Sequence, residues 1–170
     1  MDAVFLGNEQ MTIDQKGRVG IPARFVSVLR AIEGDSFGSV GVMMTPDRSI
    51  KMMPSSYFRG EVERWRRLDD RIAEERIILN LATSLAELIA LDRQNRIGLN
   101  PMMMELAGID RQVIIVGNIK FMQLFDSGVW RDMYERNLGR WGEAAADVAR
   151  RAAAPPPVQY IINPLRDAGG

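Results

Sequence analysis

A chain of 170 residues, 46% apolar and 26% charged, has the composition of a globular protein built as one compact domain or two small ones wrapped together. Its 22 basic and 22 acidic side chains cancel, which argues against a protein that coats nucleic acid over its whole surface but leaves room for a local basic patch. Cysteine and histidine are both absent, and with them go disulfides, thiolate or imidazole metal sites, serine and cysteine protease machinery, and histidine acid–base catalysis.

The first strand signal is MTI at 11–13. DQKG follows as a turn: the Asp14 carboxylate can accept bonds from the next backbone N–H groups, and Gly17 supplies a positive φ. RVGI reads as the returning strand of a hairpin. Pro22 then opens a helix over 22–32, with Phe25, Val28, Leu29 and Ile32 on one face. SVGVMM and SIKMM flank TPDR as a second hairpin. Ser55 and Ser56 are read as caps of a helix beginning YFRGEVERWRRL, and Asp69 and Asp70 as caps of RIAEERIILNLA.

The pattern then starts again. ELIAL at 87–91 is a strand, DRQN a turn and RIGL a short strand; PMMMELA is a helix capped by Asn100 and stopped by Gly108. QVIIVG and KFMQLF form a hairpin around NI. Asp126 and Ser127 cap a last helix expected to continue to Arg151, and AAAPPPVQ ends it as a linker or tail.

Asp14, Gly17, Arg18, Val19, Gly20 and Ile21 correspond at one fixed offset to Asp92, Asn95, Arg96, Ile97, Gly98 and Leu99; the prolines Pro22 and Pro101 slip by one. Asn95 is the best non-glycine substitute for Gly17 at a left-handed turn position. The chain is therefore a duplicated β-β-α-β-β unit of the α+β class. Sheet edges left open by each copy can be closed by the other, giving a small β-barrel. The expected divisions are a first unit at 1–54, a helical connector at 55–85, a second unit at 86–126, a C-terminal helix at 127–151 and a proline-rich tail at 152–170.

Over residues 14–30, Lys16, Arg18, Arg24 and Arg30 face Asp14 alone. Lys16 and Arg24 are expected to reach phosphates of a nucleic acid. Arg18 has two open readings: a base or phosphate contact, or a structural pair with Asp14. In the second copy Arg93 is assigned to DNA, and Arg96 stays undecided beside Asp92. The methionine clusters are expected to fill core gaps. RGEVERWRRLDDRIAEER reads as a solvated helix face with ion pairs four residues apart, and Trp65, Trp130 and Trp141 as core or subunit-interface anchors.

MDAVFLGNEQMTIDQKGRVGIPARF, LDRQNRIGLNPMMMELAGIDRQVIIVG and FMQLFDSGVW together resemble the MraZ family, over roughly residues 3–140. The resemblance implies two AbrB/SpoVT-like units, each with a DxxxR motif, in a swapped-hairpin, double-psi-like barrel with flanking helices. It also implies a transcriptional repressor of the division and cell-wall gene cluster. Such a protein binds short direct repeats in double-stranded DNA, its own promoter included, as a homo-oligomeric ring. No cofactor or metal is implied. Within the resemblance, Val26 and Met104 stand where the family usually has arginine, while Arg24 is kept.

Two other readings stay open: an oligomeric protein-interaction scaffold without specific DNA binding, motivated by the zero net charge, and an antitoxin-like variant of the same scaffold. An enzyme built on Asp14 and Asp92 would need both carboxylates unpaired in one cleft. The longest apolar runs, such as VIIV at 113–116, are too short for a bilayer span, and the opening lacks the marks of a signal peptide. A cytoplasmic location is therefore the default expectation, and the resemblance implies association with the nucleoid.

Overall fold

The computed structural model describes residues 3–153. The chain divides into two compact units, one running to Asp132 and one from Met133. In the first, β1 (Asn8–Thr12), β2 (Arg18–Gly20), α1 (Ala23–Glu33), β3 (Ser39–Met44) and β4 (Ile50–Pro54) lead into α2 (Ser55–Trp65) and α3 (Ala73–Ser84). The same order then recurs as β5 (Glu87–Ala90), β6 (Arg96–Gly98), α4 (Pro101–Leu106), β7 (Gln112–Asn118) and β8 (Phe121–Asp126), followed by α5 (Ser127–Leu138). The fold is α+β with antiparallel strand pairing throughout.

The opening hairpin expected in each copy does not form as a ladder. β1 pairs with β7 of the second copy, Met11 facing Val113, and β5 pairs with β3 of the first. β2 and β6 pair with each other, Val19 facing Ile97. The reason lies in β2. It has three residues and ends just before Pro22, which has no N–H to extend a ladder. A five-residue β1 finds a longer, β-branched partner in β7. Among the described residues the ladders give a six-stranded sheet, in the order β1-β7-β8-β4-β3-β5, and the β2–β6 ribbon. Both contribute to one core: Val19 and Ile97 of the ribbon are fully buried with Val42, Met52, Ile115 and Leu124 of the sheet.

Helix starts show where local reading works. α4 opens with Pro101 at its first position, and the Asn100 side chain accepts from Met102 N–H at 2.9 Å. Asp126 likewise accepts from Gly128 N–H at 2.8 Å, while Ser127 Oγ is buried without a partner among the described residues. Neither Ser55 nor Ser56 caps α2 in the expected way. The cap comes from Glu33 at the end of α1, whose carboxylate accepts from Ser56 N–H at 3.0 Å, from Ser55 Oγ–H at 2.7 Å and from the Ser56 hydroxyl. Asp69 binds Arg71 instead of capping α3, which starts at Ala73 without a side-chain cap. The charged run is a solvated face, but its pairs, Arg64–Glu61 and Arg66–Glu63, span three residues rather than four.

Met52, Met53, Met103 and Met122 fill the core, whereas Met102 is exposed. Trp65 stands edge-on to Phe58 and Trp130 packs on Phe125. The last helix is not continuous to Arg151: α5 ends at Leu138, and α6 (Trp141–Ala153) begins beyond Gly139, a poor helix former. Trp141, within the second unit, is exposed and is not a core anchor. The proline-rich segment from residue 154 lies outside the described residues.

Burial pushes the Glu33 carboxyl up, but bonds from Ser56 and Ser55 and the charge of Arg59 outweigh it, and the net shift is downward. A carboxylate held below its unfolded value contributes stability above the usual carboxylate range and loses it as pH falls through that range. Glu33→Gln is therefore expected to cost about 1–3 kcal/mol at neutral pH, with the difference from wild type shrinking below about pH 4. Urea midpoints at the two pH values read this directly.

Candidate nucleic-acid interface

The two Asp-headed turns lie side by side because β2 and β6, which leave them, pair with each other. In the first, Asp14 N–H donates to Arg18 O at 2.8 Å and Gly17 N–H to Asp14 O at 3.0 Å. Asp14 Oδ1 accepts from the N–H groups of Lys16 and Arg18, both at 2.9 Å. Gly17 has φ +73°. The second turn repeats this atom for atom: Asp92 Oδ1 accepts from Gln94 N–H at 2.8 Å and Arg96 N–H at 3.0 Å, and Asn95 has φ +55°. Each turn also ties to the other copy, with Ile21 N–H donating to Asn95 O and Leu99 N–H to Gly17 O, both at 2.9 Å.

Between the turns sits a four-member charge network. Arg18 Nε donates to Asp14 Oδ2 at 2.8 Å, and Arg96 Nε donates to Asp92 Oδ2 at 2.8 Å. The pairs also reach across: Arg96 Nη1 lies 3.7 Å from Asp14 Oδ2, and Arg18 Nη1 lies 4.0 Å from Asp92 Oδ2. The backbone bond from Arg18 holds the Asp14 carboxyl below the usual range, working against partial desolvation; Arg96 does the same for Asp92. Neither aspartate has the raised pKa of a general acid, and both are paired.

Lys16 and Arg93 project from the turns and are exposed. Among the described residues, neither takes part in an ion pair. Lys16 lines an open cleft of about 340 Å³ with Asp14, Gln15, Arg18 and Arg111. Arg24 is not part of this cleft. Its guanidinium bonds to the Asn8 carbonyl, lies 3.5 Å from Glu9 and covers the Phe25 ring at 4.9 Å. Val26, in a position where an arginine was expected from the resemblance, is buried in the core.

Sequence reasoning missed Arg111. Nothing near it in the chain marks it; it reaches the first turn because Ile13 N–H donates to its carbonyl at 2.9 Å. A second cleft of about 550 Å³ lies away from the turns, lined by Lys51, Tyr57, Glu61, Arg64, Lys120 and Phe121 among others. Among the described residues, no helix is long and apolar enough to cross a membrane.

No family model matches the chain. Curated relatives do. Transcriptional regulator MraZ of Pelodictyon phaeoclathratiforme is 35% identical over 147 residues, covering 84% of this chain and 97% of the relative. Transcriptional regulator MraZ of Chlorobium phaeovibrioides is 34% identical over 151 residues, with the same two coverages. The namesake of Clavibacter michiganensis is 28% identical over 147 residues, covering 85% and 96%. These relatives are named for regulating transcription and not for catalysis, which sets the enzyme reading aside. With this identity running through nearly the whole length of its relatives, the chain belongs to the MraZ family of transcriptional regulators, as a divergent member.

Proposed function

We propose that the chain regulates transcription by binding specific double-stranded DNA through its paired turns, with Lys16 and Arg93 on phosphates. Arg18 and Arg96, with their guanidinium nitrogens on Asp14 and Asp92, hold the turns in register. The carrying observation is the division of labour in the turns: two arginines tied to two aspartates make a rigid base, and cations without an ion pair among the described residues project from the turns beside it. Rigid backbone turns with exposed cations suit phosphate contact, which positions a protein on the duplex. The bonds made by Arg24 favour a role in fastening the N-terminal strand. The β2–β6 ribbon, packed on the same core as the sheet, completes a swapped-hairpin barrel in this reading, with the repeats at 1–54 and 86–126.

The expected targets are short direct repeats upstream of the protein's own gene, in a division and cell-wall gene cluster, with repression as the outcome and the nucleoid as the site of action. One pair of turns makes few phosphate contacts, so useful affinity needs several chains acting together on repeats of matching spacing. A homo-oligomeric ring meets that need. The exposed Ile77, Ile78 and Leu81 of α3, with Leu81 at 66% exposure, and Leu88 on the edge strand β5 support association of copies.

The test is binding to the upstream DNA and to a scrambled duplex across a salt titration. The upstream duplex is expected to bind more tightly, with a steep salt slope. Lys16→Ala is expected to weaken both complexes alike and to lower the slope by about 1. Equal, weak binding to the two duplexes would overturn the reading and leave a protein-interaction scaffold in its place.

A further inference from the structure

The two turns match in their own bonds but not in what stands beside them. Ile13, entering the first turn, donates its N–H to Arg111 O at 2.9 Å; Leu91, entering the second, donates to Gly38 O at 2.8 Å. One and the same backbone contact thus sets an arginine at the entry of the first turn and a glycine at the entry of the second. Arg111 shares the cleft with Gln15, Lys16 and Arg18. Arg18 is committed to Asp14 and Asp92, whereas neither Lys16 nor Arg111 has an ion pair among the described residues.

The surrounding charges widen the difference. The segment that reaches the first turn carries Asp110 and Arg111, and only the arginine lines the cleft. The segment that reaches the second turn, from Gly34 to Gly38, carries Asp35 and no cation of its own, and Arg30 of α1 lies over its Phe37 ring at 4.7 Å. Among the described residues, two cations without an ion pair therefore line the cleft of the first turn, whereas at the second Arg93 projects from the turn and Arg30 is held against Phe37.

We infer that Lys16 and Arg111 form a phosphate clamp, and that each chain grips the DNA backbone mainly through its first turn, the second adding a lesser contact through Arg93. The inference rests on the DNA-binding reading above. A guanidinium can take two phosphate oxygens in parallel while the ammonium acts as a point charge. The carbonyl bond to Ile13 fixes the root of Arg111 and leaves its head free to swing toward the duplex.

The experiment uses the full chain and duplex DNA from upstream of its gene, with a scrambled duplex beside it, over a range of salt. Arg111→Ala is expected to lower the slope of log affinity against log salt by about 0.9, or about eightfold in affinity near 0.1 M salt, equally on both duplexes. Arg111→Lys is expected to restore most of the slope, and Arg93→Ala to reduce it less than Arg111→Ala does. The urea midpoint of Arg111→Ala should match wild type, which separates a lost contact from a lost fold. An unchanged slope in Arg111→Ala, or a loss in Arg93→Ala as large or larger, overturns the clamp while leaving DNA binding in place. A wild-type chain without salt-dependent binding to either duplex removes the DNA reading itself, and the clamp with it.

Discussion

Phe5→Ala is expected to cost about 3–5 kcal/mol of folding stability, the range for losing a fully buried aromatic ring. Phe5 is completely buried and meets Phe25 of α1 edge-on, with ring centroids 5.8 Å apart. Reciprocal backbone bonds with Ile119, both 2.9 Å, hold it there. Its approach depends on Gly117, where a Cβ would lie 2.5 Å from the Phe5 carbonyl carbon. Removing the ring opens a cavity under α1 and frees the segment on which Arg24 is fastened through Asn8 and Glu9. Urea unfolding should show a lower midpoint with an unchanged slope. A loss under about 1 kcal/mol would mean that the N-terminal segment packs far less closely than its burial indicates.

Gly41→Ala is expected to cost about 3 kcal/mol, the upper end for overpacking. Gly41 lies in the middle of β3, facing Met53 across the β4 ladder. A Cβ there would stand 2.2 Å from Phe58 Cβ and 2.3 Å from its Cγ. These atoms lie near the Phe58 backbone, so a rotamer change cannot clear them and α2 itself must shift. That shift pulls Ser55 and Ser56 away from Glu33. Phe58→Gly, which removes both the Cβ and the ring, should also destabilise on its own, yet the double variant should be more stable than the sum of the two losses. A double-mutant cycle of equilibrium unfolding measures that coupling, and strict additivity would refute the steric account.

The elements that could be read from sequence were those whose cause is local. Asp14 and Asp92 advertise their turns because the carboxylate bonds groups two and four residues ahead, and Asn100 advertises a helix start for the same reason. The hairpins β3–β4 and β7–β8 were legible too, but the partners of the strands flanking the two turns could not be read. β1 is followed at once by a turn and a short strand, the ordinary signature of a hairpin, and only the three-residue length of β2 and the competition from β7 decide otherwise. Glu33 and Arg111 were illegible for a related reason. Each acts on a segment distant in sequence, Glu33 on Ser55 and Ser56, and Arg111 on the first turn. The pairing of Arg18 with Asp14 could be proposed from spacing alone, but the reach of each arginine to the other copy's aspartate depends on the ribbon that joins the turns.

The exchange of strands between the copies makes the chain a pair of intertwined halves held by a tether. β1 needs β7, β5 needs β3, and β2 needs β6, so a half made alone keeps only its local hairpin, β3 with β4 or β7 with β8, and loses the rest. The stretch through α2 and α3 turns what would be an encounter between two molecules into an encounter within one, and it sets the local concentration at which they meet. Folding must then wait for contacts far apart in sequence, which slows it relative to a chain of local hairpins. Cutting the tether between α3 and β5 would recast this single polypeptide as an obligate heterodimer, stable only where its two fragments are concentrated enough to find each other.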